Sequence, residues 1–318
     1  DKHVTGVQTC ALPIYPKCPT LLCCGKPMTA KDAVGVTTEK DMDVKEVIKG
    51  RYDACAEQGG GEGAACCAGE TAANPSFAAE HGLYSQEELS QVPETAFTLS
   101  RGCGNPTGFA DLQSDEVVVD FGCGAGIDVV LAAQRAGPSG KVVGVDFAPH
   151  MIERARQTVK DAHVADSTTF VLADLDKIEL PDDYADVIIS NCVINLTPCK
   201  VAVYREAFRI LKPGGRLAIS DIVYSGKVDP QVLDRFQSTW AGCVGGAIEE
   251  DTYFEILHDT GFADIEVVAR HPLASKELEE MACCPGPEFT PAPAKEDIAS
   301  VEGKVVSIKF RANKPERS

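Results

Sequence analysis

A strand that runs into a glycine-rich turn is the feature that most constrains the fold of this chain. Three valines, Val117 to Val119, predict a buried strand, and Asp120 follows them near its end. The turn behind this strand contains three glycines: Gly122, Gly124 and Gly126. A side chain at such positions would keep the backbone away from a ligand, and the N-terminus of the helix predicted to begin near Ile127 offers free N–H groups to a carboxylate or phosphate. The stretch therefore predicts a site for a nucleoside-type cofactor.

Strand patterns and helical patterns alternate along the chain around this turn. The predicted strands are residues 116–121, 141–146, 169–172, 186–191, 216–223, 263–269 and 303–311. The predicted helices are residues 127–136, 149–161, 200–211, 230–240 and 249–260. Such alternation is typical of parallel strands joined by helical crossovers. We therefore predict an α/β, Rossmann-like fold whose seven-stranded, mostly parallel sheet has helices on both faces.

The same patterns divide the chain into five segments. Residues 4–14 match the translation of a common short-read sequencing adapter, and we exclude residues 1–14 from functional reasoning. Residues 15–42 predict a poorly ordered arm that contains cysteine and proline. Residues 43–112 form an N-terminal segment of helices and loops with several thiols, and residues 113–224 form the cofactor-binding core. Residues 225–318 contribute C-terminal helices and the last strands, on the acceptor side of the site.

The charge balance narrows the possible partners. The 48 Asp and Glu residues outnumber the 30 Lys and Arg residues, which gives a formal net charge of −18 at pH 7. Nucleic acids and anionic membranes both select basic patches, so we expect neither as a partner. The sequence has no apolar run of the roughly 18–20 residues that span a bilayer and no visible signal peptide. We therefore expect a cytoplasmic protein.

Fourteen cysteines are many for such a compartment. Where thiols stay reduced, binding of a metal or metalloid, or redox chemistry, explains cysteine better than disulfide stapling does. No CxxC occurs, and the spacing matches no common zinc pattern. Cys23-Cys24 and Cys283-Cys284 either bind a metalloid or have a solvated, non-catalytic role. We expect Cys123 and Cys199 to be small buried hydrophobes.

Three features narrow the choice of cofactor. The turn reads Asp-x-Gly-x-Gly-x-Gly rather than Gly-x-Gly-x-x-Gly, because Asp120 precedes it. Asp146 ends the second strand about 20 residues past the turn, where a carboxylate can accept hydrogen bonds from ribose hydroxyls. Lys212-Pro213-Gly214-Gly215 precedes the fifth strand. Together these features resemble the class I methyltransferases, which use S-adenosyl-L-methionine.

That resemblance implies roles for particular residues. Asp120 and the glycine turn would hold the methionine end of S-adenosylmethionine, and Asp146 would hold the ribose. Asp174 and Leu175, after the third strand, would contact adenine. Asn191, after the fourth strand, would line the path to the methyl group. All of these positions fall at the carboxyl edge of the predicted sheet, where ligands bind in this architecture.

A second set of motifs concerns the methyl acceptor. The fourth strand continues into Cys192, which places a cysteine near the expected methyl donor, and segments distant in sequence can bring further thiols to the same pocket. Four motifs resemble arsenite methyltransferase over roughly residues 44–311. They are Gly102-Cys103-Gly104-Asn105-Pro106, Ser190-Asn191-Cys192-Val193-Ile194-Asn195-Leu196, the segment 205–215 that ends in Lys212-Pro213-Gly214-Gly215, and Gly242-Cys243-Val244-Gly245-Gly246-Ala247.

This second resemblance implies methylation of arsenite, or of arsenic–thiol conjugates, in arsenic detoxification. It implies three arsenic ligands, at Cys103, Cys192 and Cys243. It also implies that Cys66 or Cys67 takes part in a disulfide during turnover, with Cys55 as a weaker candidate, and that thioredoxin or a small thiol such as glutathione resets this disulfide. The chemistry suits the residues, because trivalent arsenic is soft and favours thiolate ligands.

Two other functions share parts of this pattern. A methyltransferase for a small organic acceptor would have the same cofactor core but an apolar pocket and no need for thiols. A non-enzymatic metalloid-binding protein would keep the fold and bind arsenite without consuming the cofactor. The intact glycine turn and the two strand-end acids argue against loss of cofactor binding.

Overall fold

The computed structural model describes residues 83–100, 102–237, 244–282 and 294–317, together with residues 46, 48–50, 52–53 and 56–57. The predicted arm at 15–42 and the predicted site cysteines Cys55, Cys66, Cys67 and Cys243 lie outside the described residues. The residues described between 46 and 57 are helical, in agreement with the helical pattern of this segment.

Strands and helices alternate through the rest of the chain. The strands are β1 (Val117–Phe121), β2 (Lys141–Asp146), β3 (Thr168–Leu172), β4 (Ala185–Asn191), β5 (Leu211–Tyr224), β6 (Ile248–Glu249), β7 (Ala263–Pro272) and β8 (Val305–Asn313). The helices are α1 (Gln86–Ser90), α2 (Glu94–Thr98), α3 (Ile127–Ala136), α4 (Pro149–Asp161), α5 (Lys200–Ile210), α6 (Pro230–Gln237), α7 (Glu250–Asp259), α8 (Ser275–Ala282) and α9 (Lys295–Val301). None of the helices in these ranges is long and apolar enough to cross a membrane.

The strands form one sheet in the order β3-β2-β1-β4-β5-β8-β7, and the two-residue β6 pairs with β5 off this path. β1 to β5 are parallel, whereas β8 runs antiparallel to both β5 and β7. The predicted seven-stranded, mostly parallel sheet is therefore confirmed. β1 lies between β2 and β4, so the strand order reverses at β1, and a crevice for a ligand forms at such a switch point.

Three hydrophobic clusters fix the layers. One cluster packs α5 and α7 on one face of the sheet, and a second packs α1 to α4 on the opposite face. The third cluster, at the carboxyl end of β5, joins Ile222 and Tyr224 to residues of α6, α8 and α9. Cys192 and Val244 belong to this third cluster, and Cys103 packs against it.

The structure differs from the sequence prediction at the C-terminal side. β5 begins at Leu211 rather than at residue 216 and runs through Pro213. It does so because the main chains of Gly214 and Gly215 exchange hydrogen bonds with Lys314, which extends the pairing beyond the regular ladder. Helices α8 and α9 were not predicted.

Candidate active site

The glycine turn after β1 folds back onto the end of β2. The N–H groups of Gly122 and Cys123 donate to the carbonyl of Val145, at 2.8 and 2.9 Å. Gly122, Gly124 and Gly126 have φ values of +75°, +50° and +91°, a region that favours glycine. A Cβ on Gly122 would lie 2.4 Å from Val193, whereas a Cβ on Gly124 would meet no atom within 4 Å. The backbone at Gly124 is therefore open to a ligand.

Asp120 presents a buried carboxylate beside this turn. Its residue is only 2% exposed, and its Oδ2 atom has no hydrogen-bond partner among the described residues. Burial raises the pKa of the Asp120 carboxyl well above its usual range, and the negative charges of Asp128 and Asp146 raise it further. A buried carboxylate oxygen without a partner is costly, so this atom suits a cationic group of a ligand.

Asp146, at the end of β2, holds the turn from the other side. Its Oδ2 accepts a hydrogen bond from the N–H of Gly124 at 2.9 Å, and its Oδ1 accepts one from Ala148 at 3.0 Å. Burial raises the pKa of Asp146 to about 6, although these N–H donors oppose the rise. Asp146 also lines an open cleft.

The cleft collects several of the residues predicted to bind the cofactor. Its walls include Gly122, Asp146, Asp174 and Leu175, and also residues 193 and 196–198 after β4. Ile48 of the N-terminal helical segment lines it too. The structure thus brings the predicted ribose and adenine residues together in one cleft.

Asn191 makes a dense set of hydrogen bonds at the end of β4. Its Oδ1 accepts from the N–H groups of Cys103 and Gly104, at 3.0 and 3.1 Å. Its Nδ2 lies 2.7 Å from the Gly104 carbonyl, 3.0 Å from the Tyr84 hydroxyl and 3.1 Å from Asp128 Oδ2. The amide therefore ties the Cys103 loop to the helix behind the glycine turn. The predicted role of Asn191 beside the methyl group stays a prediction.

Two members of this network were not predicted from the sequence. Tyr84 is 3% exposed and donates its hydroxyl proton to the Asp128 carboxylate, 3.0 Å from Oδ1. Asp128 lies in the first turn of α3, where an acid is ordinarily explained by the helix dipole alone. Burial raises the pKa of Asp128, and the hydrogen bonds from Asn191 and Tyr84 oppose this rise. The sequence contains no local signal for a contact between residues 44 positions apart.

Close packing fixes the loop that carries Cys103. A Cβ on Gly102 would lie 2.3 Å from Asn191 Nδ2, and a Cβ on Gly104 would lie 1.9 Å from Ser220 Oγ. Both neighbours of Cys103 therefore have to be glycine for the loop to reach the sheet edge. The thiol itself is partly exposed and lies 3.8 Å from Ser220 Oγ.

Cys192 approaches Ser220 from β4. Its N–H donates to the Ser220 carbonyl at 2.8 Å, and the residue is only 3% exposed. Its φ of +63° is unusual for a residue other than glycine, and such strain is concentrated at functional sites. Cys103 and Cys192 are both outside disulfides, and Cys103 contacts Ser220 through its thiol whereas Cys192 does so through its main-chain N–H. Two of the three predicted arsenic ligands therefore belong to segments that meet at one residue.

The remaining predicted thiols fall into two groups. Cys66, Cys67 and Cys243 lie outside the described residues, and their roles stay predictions. Val244, which follows Cys243 in the chain, is buried in the third cluster with Cys192. Among the described residues alone, no group of three His, Cys, Asp or Glu side chains could hold a metal ion.

The two cysteines expected to be packing residues differ. Cys123 is buried in the second cluster, as predicted, and burial raises the pKa of its thiol well above the usual range. Cys199 is also buried, but its sulfur is in a disulfide. The prediction that Cys199 is only a small hydrophobe was therefore wrong.

The chain matches a methyltransferase domain family over residues 112–261. It is 35% identical over 258 residues to the arsenite methyltransferase of Halobacterium salinarum, and this match covers 78% of the chain and 64% of that protein. It is 37% identical over 197 residues to the arsenite methyltransferase of Aquipseudomonas alcaligenes, which covers 58% of the chain and 55% of that protein. The matched regions thus span between about half and two thirds of these relatives.

A solved structure gives the same result. The arsenic(III) S-adenosylmethionine methyltransferase CrArsM of Chlamydomonas reinhardtii superposes with a TM-score of 0.58 and 26% identity, over 73% of each chain. The fold is therefore that of the class I methyltransferases, and the resemblance to arsenite methyltransferases is confirmed. The cofactor of this family is S-adenosylmethionine. Its cationic end matches the unpartnered oxygen of Asp120, and the open backbone at Gly124 leaves room for it.

Proposed function

We propose that this protein transfers methyl groups from S-adenosylmethionine to thiolate-bound trivalent arsenic, giving methylated arsenicals in arsenic detoxification. The observation that carries the proposal is that the Cys103 thiol lies 3.8 Å from Ser220 Oγ while the main chain of Cys192 bonds the Ser220 carbonyl, so that both cysteine-bearing segments meet at Ser220. The relatives named as arsenite methyltransferases support it. A cytoplasmic location, where thiols stay reduced, suits such a site.

The chain's residues would bind and align the reactants. Bound S-adenosylmethionine supplies a methyl group on a sulfonium sulfur. The Asp120 carboxylate and the backbone at Gly124 hold the methionine end, while Asp146, Asp174 and Leu175 line the cleft for the nucleoside. Asn191 holds the Cys103 loop against the end of β4. Such alignment of two reactants can itself supply a large part of the rate enhancement.

The acceptor chemistry needs thiolates rather than a general base. Cys103, Cys192 and Cys243 lose their protons when they bind arsenic. Arsenic in a three-coordinate thiolate site keeps a lone pair, which forms the new bond to the methyl carbon as the bond from carbon to sulfur breaks. The electron pair of that bond stays on sulfur, and the positive charge passes to arsenic. A return of arsenic to the trivalent state oxidises two thiolates to a disulfide, which thioredoxin or glutathione then reduces.

Incubation of the protein with arsenite, glutathione and S-adenosylmethionine should yield methylated arsenicals together with S-adenosylhomocysteine. Cys192→Ser should abolish methylation while the cofactor Kd changes less than twofold. Cys18→Ser, in the arm at 15–42, is the matched control and should retain the full rate. Arsenite binding without any S-adenosylhomocysteine would contradict the proposal and favour a metalloid-binding protein. Full activity of Cys192→Ser would contradict the acceptor site.

A further inference from the structure

Two buried side chains hold the turn that follows Cys243. Tyr224, the last residue of β5, donates its hydroxyl proton to the Val244 carbonyl at 2.8 Å. Lys200, the first residue of α5, donates from Nζ to the Gly246 carbonyl at 2.7 Å. Tyr224 is 4% exposed and Lys200 is 8% exposed. Both acceptors are main-chain carbonyls, so these contacts fix the path of the backbone itself.

The burial of Lys200 needs an explanation, because a lysine is almost never buried without a partner. Asp221, which is fully buried on β5, attracts the ammonium group, and this attraction opposes the effect of burial on the pKa of Asp221. The Asp221 carboxylate also accepts hydrogen bonds from Ile222 N at 2.9 Å and from the Tyr253 hydroxyl at 2.9 Å. Asp221 is thereby fixed, and it anchors Lys200 where the ammonium group reaches the turn.

The turn at 244–246 directly follows Cys243, the third predicted arsenic ligand. Val244 is 2% exposed and packs in the third cluster with Cys192. Cys243 precedes Val244 directly, and consecutive Cα atoms lie about 3.8 Å apart. Fixing the carbonyls of Val244 and Gly246 therefore restricts the positions that the Cys243 thiol can reach.

We propose that Lys200 and Tyr224 are positioning residues that hold the turn at 244–246 so that Cys243 presents its thiolate beside Cys192. This inference rests on the proposed function, because it assigns a purpose to the turn only if Cys243 binds arsenic. Three sulfurs must come together to bind one arsenic atom. Two of them belong to Cys192, at the end of β4, and to Cys103, in its loop. The turn is the segment that must bring the third.

Arsenite titration tests the proposal, with the fluorescence of Trp240 as the signal. Trp240 is the single tryptophan of the chain and lies three positions before Cys243. Tyr224→Phe and Lys200→Met should each raise the arsenite Kd about fivefold to tenfold, as expected for the loss of one buried hydrogen bond. Lys200→Arg keeps a charged donor and should restore part of the affinity. The Kd for S-adenosylmethionine, measured by calorimetry, should change less than twofold in all three variants.

A matched control and a second background separate positioning from general destabilisation. Thr260→Val also removes a hydroxyl that bonds main-chain carbonyls, those of Ile256 and Leu257, but it does not touch the turn or Asp221 and should leave the arsenite Kd unchanged. Cys243→Ser should weaken arsenite binding by itself. In that background Tyr224→Phe should add less than a twofold further loss, because the turn no longer carries a ligand.

The outcomes separate two failures. The positioning role would be overturned if Tyr224→Phe weakened arsenite binding equally in the wild-type and Cys243→Ser backgrounds. It would also be overturned if Tyr224→Phe bound arsenite with wild-type affinity. Neither result would contradict arsenite methylation. Absence of methylated product from the wild-type protein would overturn the proposed function, and the positioning role with it. Unchanged arsenite affinity in Cys243→Ser, with methylation present, would remove Cys243 from the ligand set and overturn the positioning role alone.

Discussion

Replacing Gly124 by alanine tests whether the cofactor approaches the backbone of the glycine turn. The added Cβ would meet no atom of the described protein within 4 Å, so the change adds a methyl group to open space. Gly303, in the turn between α9 and β8, offers a matched control. Its φ is +71°, near the +50° of Gly124, and its Cβ would also meet nothing within 4 Å. β8 lies three strands from β1, which is about 14 Å at the usual strand spacing.

The two variants should lose stability alike but differ in binding. An L-residue in the left-handed region costs about 1–2 kcal/mol, so both Gly124→Ala and Gly303→Ala should lose about that much unfolding free energy. Only the methyl group at Gly124 stands where a ligand touches the turn. It would displace the ligand by roughly 1 Å or more, and a misplacement of about 1 Å can cost about 100-fold. We therefore expect the S-adenosylmethionine Kd of Gly124→Ala to rise about 100-fold, or about 2.7 kcal/mol.

Calorimetric titration with S-adenosylmethionine and urea unfolding of the unliganded protein measure the two quantities separately. Gly303→Ala should bind the cofactor within twofold of the wild-type Kd despite its lower stability. A Gly124→Ala protein that binds the cofactor as tightly as Gly303→Ala would refute the reasoning, since the open space at Gly124 would then not be where the cofactor lies.

Four further predictions follow from the buried polar groups. Asp120→Asn should weaken cofactor binding at least tenfold, because the amide cannot ionise beside the cationic end of the ligand; calorimetry measures the change in Kd. Cofactor affinity should fall about tenfold between pH 7 and pH 5, since Asp146 has a pKa of about 6 and its ionised form accepts hydrogen bonds from ribose hydroxyls more strongly. Because the pKa of Asp146 is higher in the folded protein than in the unfolded chain, protonated Asp146 stabilises the fold. This contribution to the free energy of unfolding should be present in full below about pH 4 and lost as the pH rises through about 6, as urea unfolding across this range can test. Asn191→Asp should place a second carboxylate about 3.1 Å from Asp128 and reduce the methylation rate about 100-fold, because the two negative charges repel. Adding Asp128→Asn to this variant should restore much of the rate. If it does not, the hydrogen-bond network of Asn191, Tyr84 and Asp128 does not have the proposed role.

The sequence was most informative where local signals determine the structure. The bounds of α3 and α4 agree with their predicted ranges, because Gly126 immediately precedes the first and Pro149 begins the second. Helices α8 and α9 were missed because they are short and owe their stability to packing. Leu278 and Ile298 bury themselves in the third cluster, which exists only after β5 and β8 have paired.

In the candidate site, too, local sequence signals predicted some residues, whereas residues joined by long-range contacts were missed. The glycine turn, Asp120 and Asp146 were predicted because spacing along the chain places them at the carboxyl edge of the sheet. Tyr84 and Asp128 were not, since their link to Asn191 joins residues separated by 107 and 63 positions. Contacts of that range depend on the whole fold, and the residue types involved are also common in helix ends and loops.

The thiol site illustrates why these long-range contacts matter. A sulfur ligand to arsenic must be placed within a fraction of an ångström, but the Cys103 loop and the turn at 244–246 are irregular segments, which are intrinsically the least rigid part of a fold. The Cys103 loop is fixed by two hydrogen bonds to Asn191 Oδ1, and the turn after Cys243 is fixed by Lys200 and Tyr224. In each case a side chain at a strand or helix end binds main-chain groups of the irregular segment, so the rigidity of the fold is transmitted to the backbone of that segment. The specificity of the proposed reaction would then depend on these polar side chains as much as on the cysteines, because without them the three sulfurs would have no fixed geometry to offer arsenic.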